Sequence, residues 1–409
     1  MEKQYSKRMR VLQRSAAAAL FLALILSSCS DSGGALEAPL ALFHELKYGE
    51  ALPLFERAAV QNPRDADTRT WLAETYRRLE RMEEAESAAR AALAIDSCSS
   101  FAHHVLASIL LPSPNLADIP DTDPSWQHLM HAIECDSANG NAWMMIMVGA
   151  IWREKEQLAQ RAQRRLGESG FLTPAALAFG RWLLETIPEN AILFTNGDMD
   201  TYPTMALQVT ENLRPDVTII EREWLNFPWG RRWYREHENI PIPLSEQKLA
   251  AGITEPALEI LHAWAAQIQS GSFPRSVTFA ITVRESFYST LMDRLQYAGS
   301  FYQLHPEPVT QPNDLDALKA SLVGVQPDDF TGPWVSKWDI SPIRSMYTRY
   351  LSINMTESAL VYVEALVTSG RFQEAEMWLT WADEFEKGTE LGSYHTERIQ
   401  ELRVLVAAR

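Results

Sequence analysis

Cysteine is scarce in this chain of 409 residues, which has three, and none of them falls into a metal-ligand pattern with the histidines. Basic residues are also short: 37 Lys and Arg stand against 53 Asp and Glu, a net charge of −16. A surface of that sign repels phosphate backbones and anionic headgroups, which argues against nucleic-acid partners and polybasic membrane docking. Glycine is too sparse for a dinucleotide site, which needs three glycines so that amides can approach a pyrophosphate; the candidate turn has only Gly197. Apolar runs of the ~20 residues that span a bilayer are missing.

What is present begins at the N-terminus. Lys3, Lys7, Arg8, Arg10 and Arg14 precede an apolar run from Ala16 to Leu26, which reads as a secretory signal over residues 1–28. It ends in Leu26-Ser27-Ser28-Cys29, which resembles the lipobox of bacterial lipoproteins. That resemblance implies acylation of Cys29, a linker over 29–36 and a membrane anchor worth ~0.8 kcal/mol per buried methylene. Ser30 points to the outer membrane and Asp31 leaves the inner membrane open, so the expected location is a bacterial cell envelope, facing the periplasm. Export removes those five basic residues and one acid, Glu2, leaving the remainder more acidic still. Cys98 and Cys135, near the ends of predicted helices, read as small buried apolar residues, although an oxidising compartment permits a bridge.

The stretches from Tyr48 and from Met82 superimpose with a shift of 34, pairing Ala51 with Ala85, Phe55 with Ala89 and Ala58 with Ala92. With "WLAETYRRL" in the preceding helix, that period resembles the tetratricopeptide repeat, in which small side chains let two antiparallel helices approach. The phase continues through a third unit interrupted by "LPSPNLADIPDTD" and into a fourth, so residues 37–185 are expected to be helical hairpins. The resemblance implies a concave groove that holds a protein partner. His103, His104, His128 and His131 fall in the third unit, where zinc binding is weighed against surface or satisfied core positions. A hairpin over 331–409 repeats the pattern, with Gly370 in the turn and Ala375 and Ala382 seven apart.

Between 186 and 330, short β-branched and aromatic runs alternate with helical lengths, which predicts an α/β domain. The fold class is therefore α plus α/β: helical repeats, a central Rossmann-like parallel sheet of about four strands, and C-terminal helical hairpins. Ligands in such sheets bind beyond the carboxyl ends of the strands. The residues there are Asn196, Asp198, Asp200 and Thr201 after the first strand, Glu221 and Glu223 after the second, Arg284 and Glu285 after the third, and His305 after the fourth. Two readings of the "TNGDMDTYP" turn stand. In one, Gly197 makes the turn, Asp200 or Thr201 caps the following helix and Pro203 fits its first turn. In the other, Asp198 and Asp200 hold a divalent metal or sugar hydroxyls; D-x-D resembles the metal-binding pair of many glycosyltransferases. No resident cofactor is expected beyond such a metal.

"ENAILFTNGDMDTYPTMALQVTENLRPDVTIIEREW", with "VTFAITV" and "AGSFYQLHPEP", resembles the soluble C-terminal region of bacterial multi-spanning membrane proteins related to protein O-mannosyltransferases, over roughly 180–385. No apolar spans are present to house the catalytic half of those proteins, so glycosyl transfer is not implied. The segment after the second strand gathers Trp224, Trp229, Arg231, Trp233 and Tyr234, read either as packing or as an aromatic platform for a glycan; Trp334 and Trp338 are candidates for the same cluster. No Ser-His-Asp, Cys-His or dense metal-ligand spacing speaks for a hydrolase. The sequence thus reads as a non-catalytic, lipid-anchored envelope adaptor. The alternatives are a carbohydrate-binding or carbohydrate-processing α/β domain and a soluble accessory of a membrane glycosyltransferase.

Overall fold

The computed structural model describes residues 32–111, 120–250, 253–331, 340, 350–389 and 394–408. The signal segment, Cys29, Trp334 and Trp338 lie outside them. Two compact units divide the chain at 105/106. The reason is that the helices from Ala107 onward share one continuous core with the central sheet.

The first unit contains α1 (Ser32–His44), α2 (Tyr48–Gln61), α3 (Ala66–Arg78), α4 (Met82–Ile95) and the start of α5 (Ser100–Leu110). The period of 34 becomes two helices of 14 residues each, in which Ala51, Phe55, Ala58, Ala85, Ala89 and Ala92 are all buried. Small side chains let these helices sit close, while Phe43, Phe55 and Phe101 surround Trp71, the nearest ring at 4.9 Å. The Asp65 carboxylate accepts from the Asp67 N–H at 3.2 Å and starts α3. Glu74 on that helix is wholly buried and clasped by Arg77 through two bonds of 2.7 Å and by Arg78 at 2.7 Å. Beside it, burial lowers the His104 imidazole to about 4, so it is neutral at physiological pH.

The second unit opens with α6 (Pro124–Cys135), α7 (Gly140–Trp152), α8 (Glu156–Glu168) and α9 (Pro174–Thr186). The sheet follows, with β1 (Ile192–Thr195), α10 (Asp198–Glu211), β2 (Thr218–Glu221), α11 (Pro228–Glu236), α12 (Glu246–Ala250), α13 (Pro256–Gln269) and β3 (Val277–Ala280). After it come α14 (Glu285–Tyr288), β4 (Leu295–Tyr297), β5 (Phe301–Leu304), α15 (Leu315–Leu322), α16 (Ile353–Thr368), α17 (Phe372–Gly388) and α18 (Thr396–Ala407). The sheet has five strands in the order β2-β1-β3-β5-β4. Only β1–β2 and β1–β3 are parallel; β3–β5 and β4–β5 are antiparallel. This corrects the expected parallel sheet of about four strands, because the Leu295–Tyr297 segment forms an edge hairpin with β5. The outer edge of β4 is occupied in turn: Tyr297 N–H donates to Pro312 C=O and Asp314 N–H to Tyr297 C=O, each at 2.8 Å.

The C-terminal hairpin forms as expected, with Gly370 at φ +74° turning α16 into α17 and both Ala375 and Ala382 buried. The cysteines do not: Cys98 is exposed and Cys135, the last residue of α6, is half-buried, and each is disulfide-bonded. Cys98 lies three residues past the end of α4 and Cys135 at the last position of α6, each beyond the last buried residue of its helix.

Gly230 in α11 marks the tightest backbone approach near the aromatic segment. A Cβ there would stand 2.1 Å from the Trp224 carbonyl oxygen. Gly230→Ala is expected to cost about 2 kcal/mol through forced displacement of backbone, measured as a lower urea midpoint with unchanged slope.

Candidate functional site at the carboxyl ends of the central strands

β1 ends at Thr195 and the chain turns through Gly197, at φ +155°, into α10. Asp200, third residue of that helix, folds back on the turn. Its carboxylate accepts from the Asn196 N–H at 2.9 Å, from the Gly197 N–H at 3.1 Å and from the Thr282 hydroxyl. An acid at this position taking the N–H of the helix cap is half of a capping box; glycine at the cap has no side chain for the other half. Asp200 is 2% exposed, and burial raises it to about 6 despite those three donors. Thr201 is buried with its hydroxyl 2.6 Å from that of Thr195. Pro203 lies sixth in α10, past the first turn expected for it. Gly180 of α9 lets the helices meet there: a Cβ at 180 would be 3.1 Å from the Pro203 ring and the Thr204 nitrogen.

Glu221 closes β2. Its side chain accepts from the Trp224 N–H at 3.0 Å, its own N–H donates to the Tyr234 hydroxyl at 3.0 Å, and burial raises it to about 7, with the Asp200 charge adding in the same direction. Asn196 accepts from Arg222 Nε at 2.9 Å, and Arg222 pairs with Glu223 at 2.6 Å while lying over the Phe287 ring. Asp198 is half-buried and Glu223 exposed. Asn196, Asp200, Thr201, Glu221 and Glu223 thus gather at this end of the sheet, joined by Thr282 and Arg222. Arg284 and Glu285 are exposed at the start of α14. His305 does not belong here: β5 runs antiparallel to β3, so the residue after it lies at the opposite end of the strands. Sequence reasoning missed Thr282, which is 82 positions from Asp200 and carries no local signal.

In an open sheet the ligand crevice opens where β1 is flanked by strands reached in opposite directions, here between β1 and β3. The Asp200–Thr282 bond crosses that position. The acceptor capacity of Asp200 is taken up by its own chain, and one Glu221 oxygen by Trp224.

At the other end of the strands, the "RPDV" segment is equally structural. Arg214 donates to the carbonyls of Leu184 at 3.0 Å, Ile187 at 2.7 Å and Pro188 at 2.9 Å, closing the end of α9. Its guanidinium pairs with Asp216 at 2.8 Å and holds that carboxyl well below the usual range, while Asp216 accepts from the Asn190 N–H at 2.8 Å.

Trp224, Trp229, Arg231, Trp233 and Tyr234 are all buried. Trp229 packs on Trp152 at 4.7 Å between ring centroids and Trp224 on Tyr234 at 6.4 Å. Arg231 donates to Leu225 C=O at 2.8 Å and grips Glu246 at 2.5 Å. These side chains make core contacts, and of the segment's aromatic residues Phe227 alone is exposed, by 49%. His103 bonds Ser97 C=O at 3.1 Å and His131 bonds Glu134 at 3.0 Å. Among the described residues no group of three or more His, Cys, Asp or Glu could hold a metal ion, and no helix is long and apolar enough to cross a membrane.

Residues 42–108 match the family model for the tetratricopeptide repeat, and residues 176–267 match that for TMEM260-associated domain 2. Over 51 residues the chain is 35% identical to the protein O-mannosyl-transferase TMEM260 of Mus musculus, a stretch that covers 12% of this chain and 7% of that protein. The solved structure of Naa15/Naa10 bound to HypK-THB aligns over 93% of this chain and 55% of that chain at 13% identity, with a TM-score of 0.31, a likeness too low to carry an inference. The chain carries a tetratricopeptide repeat domain and, spanning the Asp200 turn and the aromatic segment, a TMEM260-associated domain.

Proposed function

We propose that the protein is a non-catalytic adaptor, lipid-anchored through Cys29 at the outer membrane of a bacterial envelope, that binds a protein partner through its helical repeats. The observation that carries the reading is the buried small-residue ladder of α2 and α4 within the range matched by the tetratricopeptide model, a repeat whose usual use is protein recognition. The disulfide-bonded Cys98 and Cys135 suit an oxidising compartment. The engagement of Asp200, Glu221 and Arg214 by the chain's own backbone favours a supporting role for the central domain. In-cell crosslinking is expected to recover one dominant protein, lost on deletion of residues 37–111, and Cys29→Ala is expected to move the protein out of the membrane fraction. Recovery of no partner, or retention of the membrane pool by Cys29→Ala, counts against the corresponding half of the reading.

The match over 176–267 favours a second reading, in which the central domain is a soluble accessory of a membrane glycosyltransferase. It predicts that the dominant crosslink is to a multi-spanning membrane protein and survives deletion of the repeats.

A further inference from the structure

Two cavities adjoin along α16. One, of about 350 Å³, is lined by Tyr302, Asn354 and Glu357 among others; the second, of about 440 Å³, by Gln311, Glu364 and Thr368; and they share Pro312, Asn313 and Val361. Positions 354, 357, 361, 364 and 368 recur at three and four residues, so one stripe of the helix forms a continuous wall. The facing wall is the β4–β5 hairpin and the segment around Pro312.

The chemistry of this lining is distinctive. Tyr302 packs at a tilt against the buried Tyr297, 4.9 Å between ring centroids, and against Tyr288 at 5.6 Å, and is itself only partly covered by the core. Neither the Tyr302 hydroxyl nor the Asn313 amide makes an intramolecular hydrogen bond among the described residues. Glu357 is fixed by Arg398 through two bonds of 2.7 Å and by His395 at 3.3 Å, which lower it to about 2. The same Arg398 holds Glu364 at 2.8 Å. Glu357 and Glu364 are thus both oriented by Arg398, so neither stands unpaired toward the groove, and no Lys or Arg is among the described lining residues to draw an anion. The β4 edge is already paired, so a peptide cannot add as a further strand.

We infer that these adjoining cavities form one groove for a neutral oligosaccharide, with the Tyr302 ring against a sugar face and Asn313, Asn354 and Glu357 bonding its hydroxyls. A neutral, ring-shaped, hydroxylated ligand is what an aromatic face beside planar amides and paired carboxylates recognises, since its C–H face is apolar and its rim is polar. The groove lies outside both the repeat unit and the Asp200 turn, and it does not depend on the adaptor reading.

The test is a glycan array carrying neutral oligosaccharides, including maltotriose, cellotriose and chitotriose, beside sialylated and sulfated ones, probed with the full chain. Calorimetric titration of the strongest neutral binder follows. Saturable binding to a neutral glycan is expected, weakened at least tenfold in Tyr302→Ala and in Asn313→Ala, with near-UV circular dichroism and partner crosslinking unchanged. Should Tyr302→Ala fail to fold, Asn313→Ala decides, because that half-buried amide holds no other part of the described chain. The inference is overturned if no neutral glycan binds, if binding is confined to anionic glycans, or if Asn313→Ala binds as the wild type does.

Discussion

Asp200→Ala is expected to lower the unfolding free energy by about 3 kcal/mol at pH 5, because it strips the acceptor from three donors that have no other partner in the turn, at ~1 kcal/mol or more each. The deficit should narrow as pH rises. The folded carboxyl is raised to about 6 against an ordinary 3.8, so between those values the unfolded chain has released a proton that the folded chain still holds. Stability therefore falls with rising pH through this window, and a shift of this size corresponds to roughly 3 kcal/mol. Glu221, raised from 4.5 to about 7, extends the same slope toward neutrality. Alanine at 200 removes the buried charge together with its bonds, so the deficit of the variant should shrink by about 1.4 kcal/mol between pH 5 and pH 8, the share of that loss that falls in this range. Asp200→Asn should flatten the slope while keeping part of the bonding. Urea melts at pH 5, 6.5 and 8 check both points, and an Asp200→Ala protein as stable as wild type at pH 5 would mean that the acid does not hold the turn.

Glu74→Ala is expected to cost 3 to 5 kcal/mol, roughly the penalty for breaking a buried ion pair by removing one partner. Arg77 and Arg78 would keep their charge beside a void, with neutral His104 unable to replace the lost anion. A paired replacement, Glu74→Met with Arg77→Met, should recover most of the loss, since burial of the carboxylate is what makes its removal costly. The pH dependence has the opposite sign to that of Asp200. The Glu74 carboxyl is lowered from 4.5 by its two guanidinium partners, so its contribution is present above that value and disappears as pH falls through the folded one. Acid should loosen the repeat unit while mild alkali loosens the central domain. Hydrogen exchange resolved by peptide at pH 3.5 and pH 8 distinguishes the two, and an unchanged exchange pattern in Glu74→Ala would refute the assignment.

The repeats were legible because a period is a comparison of the chain with itself: Ala51 and Ala85 announce the same packing position without knowledge of what packs on them. The runs that became β1, β2 and β3 were visible for a different reason, since strands buried on both faces are almost uniformly apolar. Strand direction was not visible. Phe301–Leu304 has four residues and Leu295–Tyr297 three, too few for a pattern to tell parallel from antiparallel, and that single ambiguity put His305 at the wrong end of the sheet. The acids at the strand ends were found, and the capping reading of Asp200 agrees with its bonds to the Asn196 and Gly197 N–H, but its bond to Thr282 left no mark because that residue is remote in sequence. Trp224, Trp229 and Trp233 show the same limit: an aromatic cluster beside arginines has one composition whether it faces water or core.

The strand arrangement bears on how the chain assembles as it is made. β1 lies between β2 and β3, pairing Ile192 with Thr218 on one side and with Val277 on the other, so its second flank stays bare until the ribosome has released a further stretch that includes Thr282. Contacts in the N-terminal helices join near neighbours and form quickly, whereas this closure waits on loop formation. The expected order is vectorial: the hairpins settle first, and the Asp200 turn is the last part of the centre to lock.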